Sequence, residues 1–381
     1  MRRREFFSAL PVAVTGSAGL MTPQAAYHYW AYIGTHSREK GQGIYACRFN
    51  AQTGEWSDVF MAADVERPTW LVVSRDQKYL YSVSELGNDG RRDGYLIAFA
   101  IDKKTGRLER INQVSSDGGG PTHMSLDKSG KTLVVATFGG GSTNSFRILS
   151  GGALSARVSR MQHSGSGPHR RQTSPHAHAA VVSPDNRFVL SPDLGADRVF
   201  VFRLDAARGA LALNDPPFVQ APPGYGPRHL AFHPNGKFAY LMNELVARIT
   251  VFAWDPARGR LTEIQLVDSY PAGYEGDRSG AEIEVDRAGR FLYSSNRTNN
   301  TIGVFSIDPH AGTLTPSEHV SSGGRIPWSF SLAPGGGFLV VTNQASDDVA
   351  VLRVEAQTGR LTPTGSSVKA PAPVCVAFAA A

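Results

Sequence analysis

The chain has 381 residues, of which 41% are hydrophobic and 19% charged, enough apolar side chains for a large core and too many for a disordered or fibrous chain. The formal charge is +6, and Arg2, Arg3, Arg4 and Glu5 are the only charges in residues 1–26, so four of the surplus charges are scattered over the remainder. No run of Lys and Arg marks a nucleic-acid patch, so nucleic acid is not an expected partner, whereas single arginines can still serve a small anionic substrate.

In chain order, the first element is an address. Arg3-Arg4-Glu5-Phe6-Phe7 precedes an uncharged stretch from Ser8 to Met21 and then the small pair Ala25-Ala26. This reads as a twin-arginine signal over 1–26, cut near Ala26, with a mature domain over 27–381. The apolar run is shorter than the roughly 20 residues a membrane span needs, so a periplasmic or secreted protein without stable membrane association is expected.

Beyond it, 40 glycines and 23 prolines punctuate short runs rich in Val, Phe, Tyr and Leu, which predicts many short strands. A strand-turn-strand phrase recurs around Gly54, Gly106, Gly152, Gly209, Gly259, Gly312 and Gly359, at separations of 52, 46, 57, 50, 53 and 47 residues. After each turn comes a second phrase, in which an approach, mostly containing proline, leads to an apolar strand, a tight polar turn and another strand. Its copies begin at Arg67-Pro68, Pro121-Thr122-His123, Pro175-His176, Pro227-Arg228-His229, Ala281-Glu282 and Pro327. The seventh starts at Pro373 and stops after Phe378 with no second strand, while Tyr29 to Gly34 is a second strand with no first.

A ring explains both loose ends. The period suits a four-stranded propeller blade, and seven copies with complementary broken ends disfavour a sandwich pair or an open solenoid. The predicted fold is all-β: a seven-bladed β-propeller of four-stranded blades, closed by the C-terminal strand pairing with the N-terminal strands. In this register Cys375 lies on an inner strand and Cys47 on the third, nearly 10 Å away by strand spacing, too far for a disulfide. A closed ring covers its own edges, so a monomer is expected.

Residues just before an inner strand, or just after a second strand, converge on one mouth of the axis. Here the third, fourth and fifth copies depart from the bland pattern. Ser174-Pro175-His176-Ala177-His178 holds two histidines on opposite sides of one strand, so one faces the axis, and His178 is the choice; a backbone-bonded histidine between blades is the alternative. Arg228 at the start of one strand and Glu244, after Asn243, at the end of its neighbour should meet, as a site or as a structural ion pair. Arg297, after Asn296, occupies the position of Glu244 one copy later, where a solvated arginine is the plainer reading. Glu282, Asn243, Asn296 and His176 are further candidates for substrate contact, as is Asp193, although Asp193-Leu194-Gly195 reads first as a turn, and His229 reads as packing. His-x-His with no nearby Cys or Asp cluster is a weak metal pattern, so no metal and no cofactor is expected.

Together these blocks resemble the bacterial propeller-type 6-phosphogluconolactonases of the lactonase family, and more distantly the propeller-type carboxy-muconate cyclases. The likeness rests on Gln162-His163 through Arg171-Gln172 to His178, on Gly226 to Gly236 with Asn243-Glu244-Leu245, and on Ala281-Glu282-Ile283 with Ser295-Asn296-Arg297. One departure is Ala136-Thr137-Phe138, where the family often has Asn-Tyr. The resemblance implies a functional quartet of His178, Arg228, Glu244 and Arg297 acting on a small anionic or sugar lactone. Glu244 or His178 would activate water, with the other protonating the leaving oxygen, and the two arginines would hold the oxyanion. The same groups would suit a lactonizing cycloisomerase or a catalytically silent binding propeller.

Overall fold

The computed structural model describes residues 28–36 and 43–381, so the twin-arginine segment lies outside the described residues. Its strands form seven antiparallel four-stranded sheets, the blades of a propeller, numbered here in the order of the second phrase. Blade 4, for example, comprises Pro227–Phe232, Phe238–Asn243, Arg248–Asp255 and Arg260–Asp268 from axis to rim. Each second strand lies between two neighbouring blades. Phe238–Asn243, Phe291–Asn296 and Phe338–Asn343 are therefore buried at every position and open on apolar residues, with polar residues only at their axial-mouth ends. The rim strands are wetter, and Leu108–Ser115 and Leu361–Lys369 mix polar and apolar residues accordingly.

The ring closes as the broken ends require. Pro373–Ala380 pairs antiparallel with His28–Thr35, with Tyr29 opposite Ala380 and Gly34 opposite Cys375, and forms the inner strand of blade 7. The buried apolar residues fall into seven clusters, one per junction between neighbouring blades, where an open row of seven sheets would have only six junctions. Cys47 and Cys375 are free and belong to different clusters, on either side of blade 7.

The turn glycines account for the period. Gly312 sits at φ +71°, and a Cβ there would lie 2.4 Å from the Phe238 ring of the preceding blade, while its carbonyl accepts a hydrogen bond from Tyr240 Oη at 3.0 Å. The turn must be left-handed and its outer side bare, so that it can seat on the preceding blade's aromatic core. Burying each such aromatic is worth roughly 1.5–3 kcal/mol, and the same seating recurs at Gly259 on Phe188 and Gly359 on Phe291.

Among the described residues no helix is long and apolar enough to cross a membrane.

Candidate active site

Four sequence distances collapse at one end of the axis. Arg228 is the second residue of the inner strand Pro227–Phe232, and Glu244 directly follows the adjacent strand Phe238–Asn243, its amide donating to Gly226 O at 2.8 Å. Arg297 follows Phe291–Asn296 in the same way, its amide held by Ser279 O at 2.9 Å. His178 stands ahead of the two-residue inner strand Val181–Val182 of blade 3, its amide bonded to Pro192 O at 2.9 Å.

Glu244 is the hub. One carboxylate oxygen, Oε2, accepts from Arg228 Nε at 2.9 Å and lies 3.8 Å from His178 Nε2; the other, Oε1, takes Arg297 Nη2 at 2.8 Å and Arg171 Nη1. Burial alone would raise the Glu244 pKa, but Arg297, Arg171, Arg228 and His178 outweigh it and hold the carboxyl well below its usual range. Arg228 is 1% exposed, and burial pushes its guanidinium down to about 10, still charged at neutral pH. For His178, burial first, then Arg228 and His229, keep the imidazole well below 6.5 and hence neutral. Three guanidinium groups face one carboxylate, so the mouth carries surplus positive charge beside a neutral base. Trp328 forms the remaining wall, with Arg297 Cζ 4.8 Å and Arg228 Cζ 5.9 Å from its ring centre and His36 stacked at 5.8 Å.

Arg171 reaches the hub from the long loop before blade 3. Gln172 anchors that loop through Leu194 O at 2.8 Å and Asp197 Oδ1 at 2.6 Å, and Asp197 also accepts the amides of Gly224 and Gly226 at 2.7 and 2.8 Å. A buried carboxylate thus ties the loop bearing Arg171 to the turn bearing Arg228.

One layer deeper lies a second polar group. His229 Nδ1 meets Glu282 Oε1 at 2.8 Å, Ser329 Oγ donates to Glu282 Oε2 at 2.8 Å, and the His229 ring lies 5.2 Å from that of His178 and 5.3 Å from that of His123. Burial would raise the Glu282 pKa, yet His229, Arg228 and Ser329 bring it down to about 2. Beneath this layer the axis widens into a cavity of about 530 Å³.

The structure brings His178, Arg228, Glu244 and Arg297 together, with Glu282 just below. It does not bring in the other candidates. Asp193 is fully buried, bonded to His163 Nδ1 at 2.7 Å and to the amides of His176 and Ala196 at 2.8 Å, so it closes a turn rather than facing the axis. Asn243 spends its amide nitrogen on Arg248 O and Thr250 Oγ1, and Asn296 on Ser269 O; both brace the turn after a second strand. His176 stacks on Phe138 at 4.3 Å and bonds its carbonyl, leaving Phe138 between it and His178. His229, read as packing, instead lines the channel. Sequence reasoning also missed Arg171 as a site residue and Trp328. Among the described residues no three His, Cys, Asp or Glu side chains are grouped to hold a metal ion.

Fold and site together define a propeller with a cationic small-molecule mouth at one end of its axis. Residues 30–378 match the family described as "Lactonase, 7-bladed beta-propeller". The chain is 34% identical over 350 residues to a 6-phosphogluconolactonase of Bacillus subtilis, covering 92% of this chain and 98% of the relative. It is 32% identical over 310 residues to a 6-phosphogluconolactonase of Formosa agariphila, covering 80% and 86%. Among solved structures, the periplasmic gluconolactonase PpgL of Pseudomonas aeruginosa superposes with a TM-score of 0.87 at 36% identity, covering 93% of this chain and 99% of that one. The chain belongs to the seven-bladed β-propeller lactonase family.

Proposed function

We propose that this protein hydrolyses a sugar lactone to its open-chain acid, as an exported, monomeric, gluconolactonase-type enzyme. One observation carries the reading: a neutral, buried His178 stands beside a mouth where three arginines surround a single carboxylate. Ester hydrolysis needs a base that is free at neutral pH and fixed positive charge where the oxyanion develops. Glu244, clamped by Arg228, Arg171 and Arg297, is a poor proton acceptor, so His178 is the base and Glu244 the residue that spaces the guanidinium groups. Arg297 and Arg171, the more exposed of the three, bind the substrate's hydroxyl or carboxyl oxygens, and Trp328 offers a flat face to the ring.

The twin-arginine segment and the likeness to a periplasmic gluconolactonase support a substrate met outside the cytoplasm, hence an unphosphorylated lactone. The test is a panel of phosphorylated and unphosphorylated sugar lactones offered to the mature chain and to His178→Ala. Hydrolysis by the former, reduced at least about a hundredfold in the latter, is expected. Turnover unchanged in His178→Ala removes the assignment, and consumption of carboxy-muconate in place of any lactone replaces it with the cycloisomerase.

A further inference from the structure

Directly below the mouth is a narrow space of about 10 Å³ whose lining includes Thr69, Thr122, His178, Arg228, His229 and Trp328. That is about the volume one water molecule needs and far less than a sugar ring. Three of its lining residues keep a buried polar atom with no hydrogen-bond partner among the described residues: Thr69 Oγ1, His178 Nδ1 and Arg228 Nη1. The residues concerned are 5%, 7% and 1% exposed. Leaving a buried polar atom without a partner is costly, so three on the residues around one small cavity point to a common ligand. The three supply a hydroxyl that can donate or accept, an acceptor nitrogen and a cationic donor, which matches the two donors and two acceptors of water.

We propose that this cavity is the binding site of the hydrolytic water, held by Thr69, Arg228 and His178, with Thr69 as its positioning residue. The inference rests on the lactonase reading and adds a residue and an atom to it. His178 acts through Nδ1, since Nε2 faces the Glu244 carboxylate at 3.8 Å and that charge favours the tautomer protonated on Nε2. A lactone lying across the mouth against Trp328 places its carbonyl carbon over the cavity. The water oxygen's lone pair forms the new C–O bond while its proton passes to Nδ1, and the carbonyl electrons move onto an oxyanion facing the guanidinium groups. Collapse breaks the bond from carbon to ring oxygen, which leaves with that bonding pair and takes the proton back from Nδ1. The carboxylic acid so formed releases its own proton to solvent, and water is the sole co-reactant.

Two measurements test this. In a high-resolution crystal structure of the ligand-free mature chain, one ordered solvent peak is expected within hydrogen-bond reach of Thr69 Oγ1, His178 Nδ1 and Arg228 Nη1; a dry cavity, or a peak bonded to none of the three, overturns the site whatever the activity. In kinetics, Thr69→Val, which keeps shape and loses the hydroxyl, should lower kcat by roughly tenfold to a hundredfold with KM within about twofold, and Thr69→Ser should restore kcat to within about threefold. An unchanged kcat in Thr69→Val, or a raised KM alone, overturns the role of Thr69. A wild-type chain that hydrolyses no lactone refutes the functional reading instead, and the crystallographic result then decides the water site by itself.

Discussion

Replacing Glu244 by Gln should destabilise the protein by an amount the burial of its partners sets. The substitution keeps the shape but removes the charge that three guanidinium groups share, and it turns one acceptor into an amide donor aimed at arginine. Arg171 is 41% exposed and can regain water, and Arg297, at 11%, can do so in part. Arg228, at 1%, cannot. The cost is therefore that of one uncompensated buried charge, about 3–5 kcal/mol. Unfolding entropy near 2.1 cal/mol/K per residue gives roughly 0.74 kcal/mol/K for a propeller of about 350 residues, so Tm should fall by about 4–7 °C. Calorimetry at pH 7 measures it, and the double variant Glu244→Gln with Arg228→Met should recover most of the loss, because it removes the stranded charge as well. The pH dependence has a definite sign. The folded-state pKa of Glu244 is depressed, so its contribution is fully present above the ordinary carboxylate value near 4.5 and fades as pH falls below it. The gap between wild type and variant must then narrow in acid. A Tm change under about 1 °C at pH 7, or a gap that widens in acid, would falsify the view of Glu244 as the hub.

Burial depresses the pKa values of His123, His178 and His229, so the unfolded chain takes up protons below about pH 6.5 that the folded chain refuses. Stability is full above that value and should drop on acidification by up to about 1.4 kcal/mol per pH unit for each histidine; a Tm that stays flat from pH 7.5 to 5 contradicts it. Burial pushes the Cys47 and Cys375 thiols up to about 12, so a thiol reagent at pH 8 should leave both untouched in the native protein and modify both in denaturant. Gly259→Ala places a methyl group 2.4 Å from the Phe188 ring at φ +64°, and should cost about 1–3 kcal/mol in urea unfolding; a neutral result would mean the turn is not seated as described. Deleting Pro373–Ala380 leaves Tyr29 to Ile33 without their partner and should abolish cooperative unfolding, whereas a sharp transition in the truncated chain would argue against a closed ring.

Most of the ring was legible in the sequence because its grammar is physical. A left-handed turn seated against the neighbouring blade demands glycine once per blade, on an aromatic ring in six and on Arg147 and Thr132 at Gly209, and the seven glycines, with two incomplete ends, carry both the count and the closure. The quartet was legible in part as exceptions to that grammar: Arg297 stands where the other copies have His36, Glu85, Phe138, Leu194, Glu244 and Gln344, whereas Glu244 shares its residue type with Glu85 and stood out through the adjacent Arg228. Arg171 was not singled out as a site residue, because its loop has no counterpart in the other blades and is held over Glu244 through its neighbour Gln172, which bonds Leu194 O and Asp197, both distant in sequence. Asp193, Asn243 and Asn296 were overread for the opposite reason. A polar residue ending a second strand looks chemical in one copy, but in several copies it closes the same turn, as Asn343 does with Ser322 O and Asp348.

The misreading of His229 has a more general cause. Strict alternation along an inner strand sends Arg228 and His229 to opposite faces. The pairing slips, however, between Pro227 and His229, as it does between Pro121 and His123 and between Pro327 and Ser329; it slips also between Gly280 and Ile283, where glycine rather than proline opens the strand. Proline has no N–H to give to the ladder, so a proline opening the inner strand interrupts the pairing there and invites a bulge. At the bulge two successive side chains turn toward the axis. That is why Arg228 and His229, and Trp328 and Ser329, line one small cavity in pairs; Thr69 and Trp70 line it from just ahead of the inner strand Leu71–Val73, whose pairing shows no slip. Where a proline of the repeat opens the inner strand, as at Pro227 and Pro327, it thus also doubles the chemistry that strand brings to the axis, giving a mouth of arginine and tryptophan directly above a floor of histidine and serine.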